Sequence, residues 1–174
     1  MRRQSYSCYL WRRSFNQEDD LIDIQMIKKI MVATDGSETS DLAAQAAIEI
    51  ASRSGGSITA IHVVDVARLA RLPGYAAFPG IKDQLLGLMQ KEGREATQRI
   101  EDLAAKASVP CQKIVAEGNP TEELLRIATE SRIDLFIMGS VGKSGLNRFL
   151  LGSVAEKVVR NSKVPVLLIR GIET

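Results

Sequence analysis

Residues 134–153 read DLFIMGSVGKSGLNRFLLGS, and the fold follows from how this stretch divides. Behind Asp134, Leu135 to Met138 form a short continuous apolar run, which predicts a strand buried on both faces. Gly139, Gly142 and Gly152 then interrupt the pattern. Ser153 stands three residues before Glu156, which predicts a capping box opening a helix over residues 153–161. A doubly buried strand running into a glycine loop and then a helix is one unit of a parallel sheet covered on both sides.

The same alternation extends in both directions. Residues 28–34 (KKIMVAT) end in Asp35-Gly36, a strand followed by a turn. Ser37 can cap the next segment, where Leu42, Ala46 and Ile50 recur at helical spacing until Gly55-Gly56. Residues 57–64 (SITAIHVV) predict a second strand, and residues 65–80, with Pro73-Gly74 and Pro79-Gly80, a long mobile loop. A helix follows with Ile81, Leu85, Leu88, Ala96, Ile100 and Leu103 on one stripe. Gly87 and Gly93 each weaken it by roughly 1 kcal/mol relative to alanine. Residues 109–116 predict a third strand, and Asn119-Pro120-Thr121-Glu122 a helix start with cap, proline and first-turn acid. That helix carries Leu124, Leu125 and Ile127, and residues 164–170 (VPVLLIR) close the chain as a fifth strand. Five alternations imply an α/β, Rossmann-like, three-layer fold: an open parallel five-stranded sheet with helices on both faces.

Composition bounds the function. The chain has 174 residues, 45% hydrophobic and 25% charged, with a formal charge of +2. One core of that size hides roughly 70% of the unfolded surface without disulfides or metal. The small charge, with bases scattered along the chain, argues against nucleic acid as a partner. Cys8 and Cys111 lie far apart, the reading expected of reduced thiols in the cytoplasm, and His62 is the single histidine, which excludes a His-His metal motif. No apolar run reaches the ~18 residues of a membrane helix, and the N-terminus lacks a secretory h-region.

Residues 1–25 stand apart from residues 26–174. Arg2, Arg3, Arg12 and Arg13 precede Glu18, Asp19, Asp20 and Asp23. A true extension, a transit-like leader and an upstream start before Met26 all fit. An extension outside the core fold, with Tyr6 to Trp11 as an added strand, is the reading favoured.

In parallel sheets, ligands sit beyond the carboxyl ends of the strands where the winding reverses. Two strand ends meet that description, Thr34-Asp35-Gly36 and the loop from Gly139. Gly139 and Gly142 permit close approach of backbone N–H groups to an oxygen-rich ligand. Gly152-Ser153 opens a helix whose N-terminal amides attract phosphate, with Lys143 and Arg148 nearby. A Walker loop ending in Gly142-Lys143-Ser144 would need glycine where Ile137 stands, and Gly-x-Gly-x-x-Gly is absent.

The spacing that is present is Gly-x2-Gly-x9-Gly-Ser: Gly139, Gly142, Gly152, Ser153. With Asp35-Gly36-Ser37, His62-Val63-Val64-Asp65 and the closing strand, the chain resembles the ATP-binding branch of the universal stress proteins from Met26 to Arg170. The resemblance implies strand order 3-2-1-4-5 and a site between strands one and four. It implies that Ala33, Thr34, Asp35 and Val63 flank adenosine. Met138, Gly139 and Gly142 would wrap ribose and phosphate, and Gly152, Ser153 and Val154 would hold the phosphate chain. ATP, or AMP or ADP, would bind with Mg²⁺, and no side chain is expected to ligate a metal directly. Val141 and Ala155 depart from the basic or imidazole and hydroxyl residues of many relatives, leaving the backbone cradle intact. The exposed edge of the last strand implies a symmetric homodimer through residues 164–170.

The function expected is therefore an ATP-binding stress-response regulator, at most a weak or partner-dependent ATPase. The alternative is a nucleotide-free dimeric interaction module of the same fold. An adenylyl-transfer enzyme lacks its further signature at the first strand end, and a receiver domain lacks an acceptor aspartate at Ala116-Glu117-Gly118. Asp35 also reads as a plain turn residue, and His62 as a packed strand residue rather than a catalyst.

Overall fold

In the computed structural model the described residues are 7–11, 24–70, 80–142 and 151–171, with 7–11 and 69–70 described as backbone alone. Twelve elements follow one another: β1 (Ser7–Trp11), a 3₁₀ turn (Ile24–Met26), β2 (Lys29–Ala33), α1 (Glu38–Ser54), β3 (Ser57–Asp65), α2 (Val66–Ala70), α3 (Ile81–Lys106), β4 (Cys111–Gly118), α4 (Pro120–Glu130), β5 (Leu135–Gly139), α5 (Ser153–Asn161) and β6 (Val166–Arg170).

The strands form one sheet ordered β1-β6-β5-β2-β3-β4. From β4 to β6 every pairing is parallel, so the expected order 3-2-1-4-5 holds for the five strands of the alternating core. Parallel neighbours require crossovers, and the helices supply them on both faces. Side-chain alternation sorts the core accordingly. Ile30, Val32, Leu135, Ile137 and Ile169 join α1 and α3 in one cluster. Met31, Phe136, Met138, Val166 and Leu168 join α4 and α5 in the other. Ile30, Met31, Val32, Phe136 and Ile137 have no exposed surface, the burial expected of central parallel strands.

Local signals set the helix ends. Ser37 accepts from the Ser40 N–H at the start of α1, and Gly55, at φ 63°, ends it with its N–H on Ala51. Only glycine enters that left-handed region without a steric cost. Asn119 accepts from the amides of Thr121 and Glu122, with Pro120 at the first helical position of α4.

Four expectations are corrected. The buried face of α1 is Ala43, Ala44, Ala47 and Ala51, while Leu42, Ala46 and Ile50 are only partly buried. A helix lying over central strands gains more from close backbone approach, which alanine allows, than from longer side chains. On α3 the buried residues are Gly93, Ala96, Thr97, Ile100 and Ala104, and Leu88 is 63% exposed. Gly93 is demanded by packing, since a Cβ there would stand 2.5 Å from Cδ2 of His62. Residues 66–70, read as loop, form α2, whose start is held by the Arg68 N–H on Asp65 Oδ1 at 2.9 Å. At α5 the N-cap is Gly152 and Ser153 is the first helical residue, so no capping box forms.

The proposed added strand is present as β1, antiparallel to β6, with Ser7 opposite Arg170 and Trp11 opposite Val166. It lies along the edge assigned above to a two-fold mate. Pairing with β1 and pairing with a second chain through that edge exclude one another. No helix among the described residues is long and apolar enough to cross a membrane.

Candidate functional site

The carboxyl ends of β2, β3 and β5 open into a cavity of about 300 Å³. That volume is at the lower end of the range for small-molecule sites. All ten residues singled out from the sequence line it: Ala33, Thr34, Asp35, Val63, Met138, Gly139, Gly142, Gly152, Ser153 and Val154. Lys143 and Arg148 lie outside the described residues.

The wall from β2 is a closed hydrogen-bond circuit. The Thr34 hydroxyl accepts the Gly36 N–H at 3.0 Å and lies 3.0 Å from Ser40 Oγ, which itself donates to the Ser37 carbonyl at 2.8 Å. Asp35 Oδ1 accepts the Ser37 N–H at 3.0 Å, an Asx turn. Ser37 Oγ lies 3.1 Å from Thr39 Oγ1, which donates to the Val141 carbonyl at 2.6 Å. These bonds tie the start of α1 to the loop after β5. Asp35 is thus a turn residue as far as Oδ1 is concerned, while its carboxylate also lines the cavity.

The wall from β5 depends on absent side chains. A Cβ on Gly142 would sit 2.5 Å from Asp35 Oδ2, and one on Gly139 would sit 3.1 Å from the Thr39 side chain. Gly142 therefore lets the loop backbone approach the aspartate directly. The loop closes on itself through the Gly152 N–H, which donates to Ser140 C=O at 2.8 Å. That amide is spent inside the loop. What Gly152 offers a ligand is close approach rather than a donor.

The start of α5 is different. Its first intrahelical bond runs from the Glu156 N–H to Gly152 C=O, and among the described residues no side chain caps it. The amides of Ser153, Val154 and Ala155 precede the helical ladder, and these three residues line the cavity at the end of α5 where the helix dipole is positive.

His62 is nearly buried, with Nδ1 2.8 Å from the Thr34 carbonyl. A carbonyl only accepts, so Nδ1 carries the proton. The imidazole packs between β2 and Gly93 as a structural residue. Arg68 of α2, Met89 and Glu92 of α3, and Pro120 and Leu124 of α4 also line the cavity and were not singled out from the sequence. Pro120 and Leu124 had a legible signal, since α4 starts at the same sheet edge. Met89 and Glu92 had none, because the rotation of α3 is set by Gly93. Arg68 is the one arginine or lysine among the described lining residues, against the carboxylates of Asp35, Asp65 and Glu92. Among the described residues no group of three or more His, Cys, Asp or Glu is placed to hold a metal ion.

The arrangement can bury a flat apolar group against Ala33, Val63 and Met138 and set an anion against the α5 amides. Residues 26–170 match the model of the Universal stress protein family. The chain is 39% identical over 145 residues to Universal stress protein MJ0531 of Methanocaldococcus jannaschii, covering 83% of each chain. Its structure is similar to that of protein MJ0577 of the same organism, with a TM-score of 0.74 at 28% identity, covering 86% of this chain and 99% of the other. It is also similar to a universal stress protein solved in complex with cAMP, with a TM-score of 0.60 at 26% identity, over 83% and 97% of the two chains.

Proposed function

Because the chain belongs to the universal stress protein family, we propose that it is a stress-response regulator that binds ATP at the carboxyl edge of its sheet. The observation that carries the reading is the start of α5, capped by a glycine with no side-chain bond, at a cavity that Ala33, Val63 and Met138 also line. Adenine rests against Ala33, Val63 and Met138, beside Thr34 and Asp35. Ribose and the first phosphate follow the backbone of Gly139 and Gly142. The later phosphates take the amides of Ser153 and Val154, with Gly152 giving access. The group fits these residues, since the glycines leave room where a Cβ would collide with Asp35 or Thr39. A similar protein holds cAMP, another adenine nucleotide, which supports the class of ligand.

Mg²⁺ accompanies the nucleotide, supplying charge neutralisation, and is held chiefly by phosphate oxygens. The chain is at most a weak or partner-dependent ATPase, because Nδ1 of the only imidazole is committed to the Thr34 carbonyl. The cytoplasm suits its two cysteines, of which Cys111 is free. Residues 26–174 form the nucleotide-binding unit, and residues 1–25 add to it from outside.

The test is to denature purified protein in acid and identify the nucleotide released, then to titrate Mg-ATP into stripped protein by calorimetry. Released adenine nucleotide and saturable binding are expected. Neither released nucleotide nor binding at millimolar Mg-ATP would reject the reading in favour of a nucleotide-free interaction module. The spent Gly152 amide, with Val141 and Ala155 in place of polar residues, is what favours that second reading.

A further inference from the structure

Thr39 is not among the residues that line the cavity, yet its side chain is bonded to the loop that does. It stands in the first turn of α1, two residues after the cap Ser37. A Cβ on Gly139 would lie 3.1 Å from Thr39 Cβ, and one on Gly171 would lie 3.5 Å from its Cγ2. Thr39 is thus wedged where β5 and β6 end, and both approach it through a glycine.

Counting protons gives the bonds of Thr39 a direction. A hydroxyl has one proton to donate. Thr39 donates to Val141 C=O at 2.6 Å, so in its 3.1 Å contact with Ser37 it accepts and Ser37 donates. Ser37 Oγ in turn accepts the Ser40 N–H at 3.3 Å. One chain of bonds therefore runs from an amide in the first turn of α1, through two hydroxyls, to the carbonyl of residue 141. Bonds in such a chain polarise and strengthen one another.

The peptide at the end of this chain joins Val141 to Gly142. Among the described residues every peptide bond is trans, and in a trans peptide the C=O and N–H point in opposite directions. With the carbonyl held on Thr39, the Gly142 N–H points away from α1. Among the described residues nothing accepts it. Its nitrogen lies beside Gly152, where a Cβ would stand 3.7 Å from it, and Gly142, Gly152, Ser153 and Val154 all line the cavity. Half a turn of this peptide would exchange the donor for a carbonyl oxygen, which repels an anion. Glycine permits such a turn more readily than other residues do. The orientation therefore needs a pin.

We propose that Thr39 is a positioning residue for the anion end of the site: by holding Val141 C=O it sets the Gly142 N–H beside the α5 amides as a further phosphate donor. The proposal rests on the nucleotide reading of this cavity. Thr39 touches no ligand, so its effect falls on phosphate and spares the nucleoside, which rests against Ala33, Val63 and Met138.

The test titrates Mg-ATP and adenosine separately into the stripped full chain by calorimetry, as wild type, Thr39→Val and Thr39→Ser. Valine keeps the shape of threonine and loses the hydroxyl, whereas serine keeps the hydroxyl. Thr39→Val should weaken Mg-ATP binding by roughly tenfold or more, the effect of one misdirected hydrogen bond to a charged group, with adenosine affinity unchanged within about twofold. Thr39→Ser should restore Mg-ATP affinity to within about threefold of the wild type, which a residue needed only for packing would not do. Thr39→Ala removes the hydroxyl without a methyl against Gly139, and the pattern of the valine variant is expected of it too. In nucleotide-free protein the Gly152 amide, held on Ser140 C=O, should exchange faster in Thr39→Val than in the wild type, while residues 135–138 exchange alike. A wild type that binds Mg-ATP while Thr39→Val binds it equally well overturns the proposal alone. So do equal losses for ATP and adenosine, a serine variant as weak as the valine one, or a loop equally protected in both proteins. A wild type that binds neither Mg-ATP nor adenosine removes the nucleotide reading, and this proposal with it.

Discussion

Three helices, α1, α4 and α5, begin at the same edge of the sheet, and they begin in two different ways. At α1, Ser37 accepts an amide, and its hydroxyl adjoins Thr39, which reaches across to Val141 C=O. At α4, Asn119 accepts two amides and Pro120 removes the need for a third. These starts are satisfied by the chain itself. At α5 a glycine stands where a capping side chain belongs, and among the described residues no side chain is bonded to the first amides. A helix start of this kind in a cavity invites an external acceptor. The difference locates the phosphate end of the proposed site more sharply than the glycine spacing does.

The contrast between α5 and the other two helices can be tested by substitution. Ser153→Asp supplies the missing anion from within. It should weaken Mg-ATP binding by roughly 30- to 150-fold, as expected for about 2–3 kcal/mol of lost charge-assisted hydrogen bonding, read by calorimetry. The same change should raise stability by about 0.5 kcal/mol, because an acid at a helix N-terminus is favourable. Weakened binding with a raised melting temperature distinguishes a vacated phosphate site from a damaged fold. Asn119→Ala is the converse. It should cost about 1 kcal/mol, lowering the melting temperature by roughly 2–4 °C, with Mg-ATP affinity unchanged within about twofold. Arg68→Ala is expected to have the smallest effect. Its exposed guanidinium contributes under ~1 kcal/mol to a triphosphate, a loss of roughly two- to fivefold, with adenosine affinity unaltered. Equal losses for ATP and adenosine would place Arg68 at the wrong end of the cavity.

Away from the site, burial raises the Cys111 thiol above its ordinary range, so the thiolate that reacts is scarce there at neutral pH. Hydrogen bonding to Lys113 of β4 holds the carboxyl of Glu101, on α3, below its ordinary range. The pair therefore supports the fold above the ordinary carboxylate range, and that support fades as pH falls through the lowered value. Neither group touches the cavity.

The sheet was legible in residues 134–153 and in the four other apolar runs because strand period, glycine breaks and caps are local signals. The ten residues implied by the family resemblance line one cavity because strand ends in a parallel sheet share one edge. The faces of α1 and α3 were misread for a physical reason. Large apolar residues mark a helix's oily side, but close packing on a flat sheet selects alanine and glycine, which periodicity weighs lightly. Ser153 was misread as a cap for a similar reason. Sequence offers both Gly152 and Ser153 as starts, and the choice follows from where the loop folds back, with the Gly152 amide on Ser140.

Sequence alone determined the parallel five-stranded architecture, the edge at which the proposed site lies and the presence of a strand-forming segment before Met26. These depend on periodicity and chain order, which neighbours in sequence settle. Tertiary structure alone decided which amides are spent and which remain, that His62 serves the Thr34 carbonyl, and that β1 lies on the β6 edge. Each of those is a pairing between groups far apart in the chain, and such pairings exist only once the sheet has brought them together.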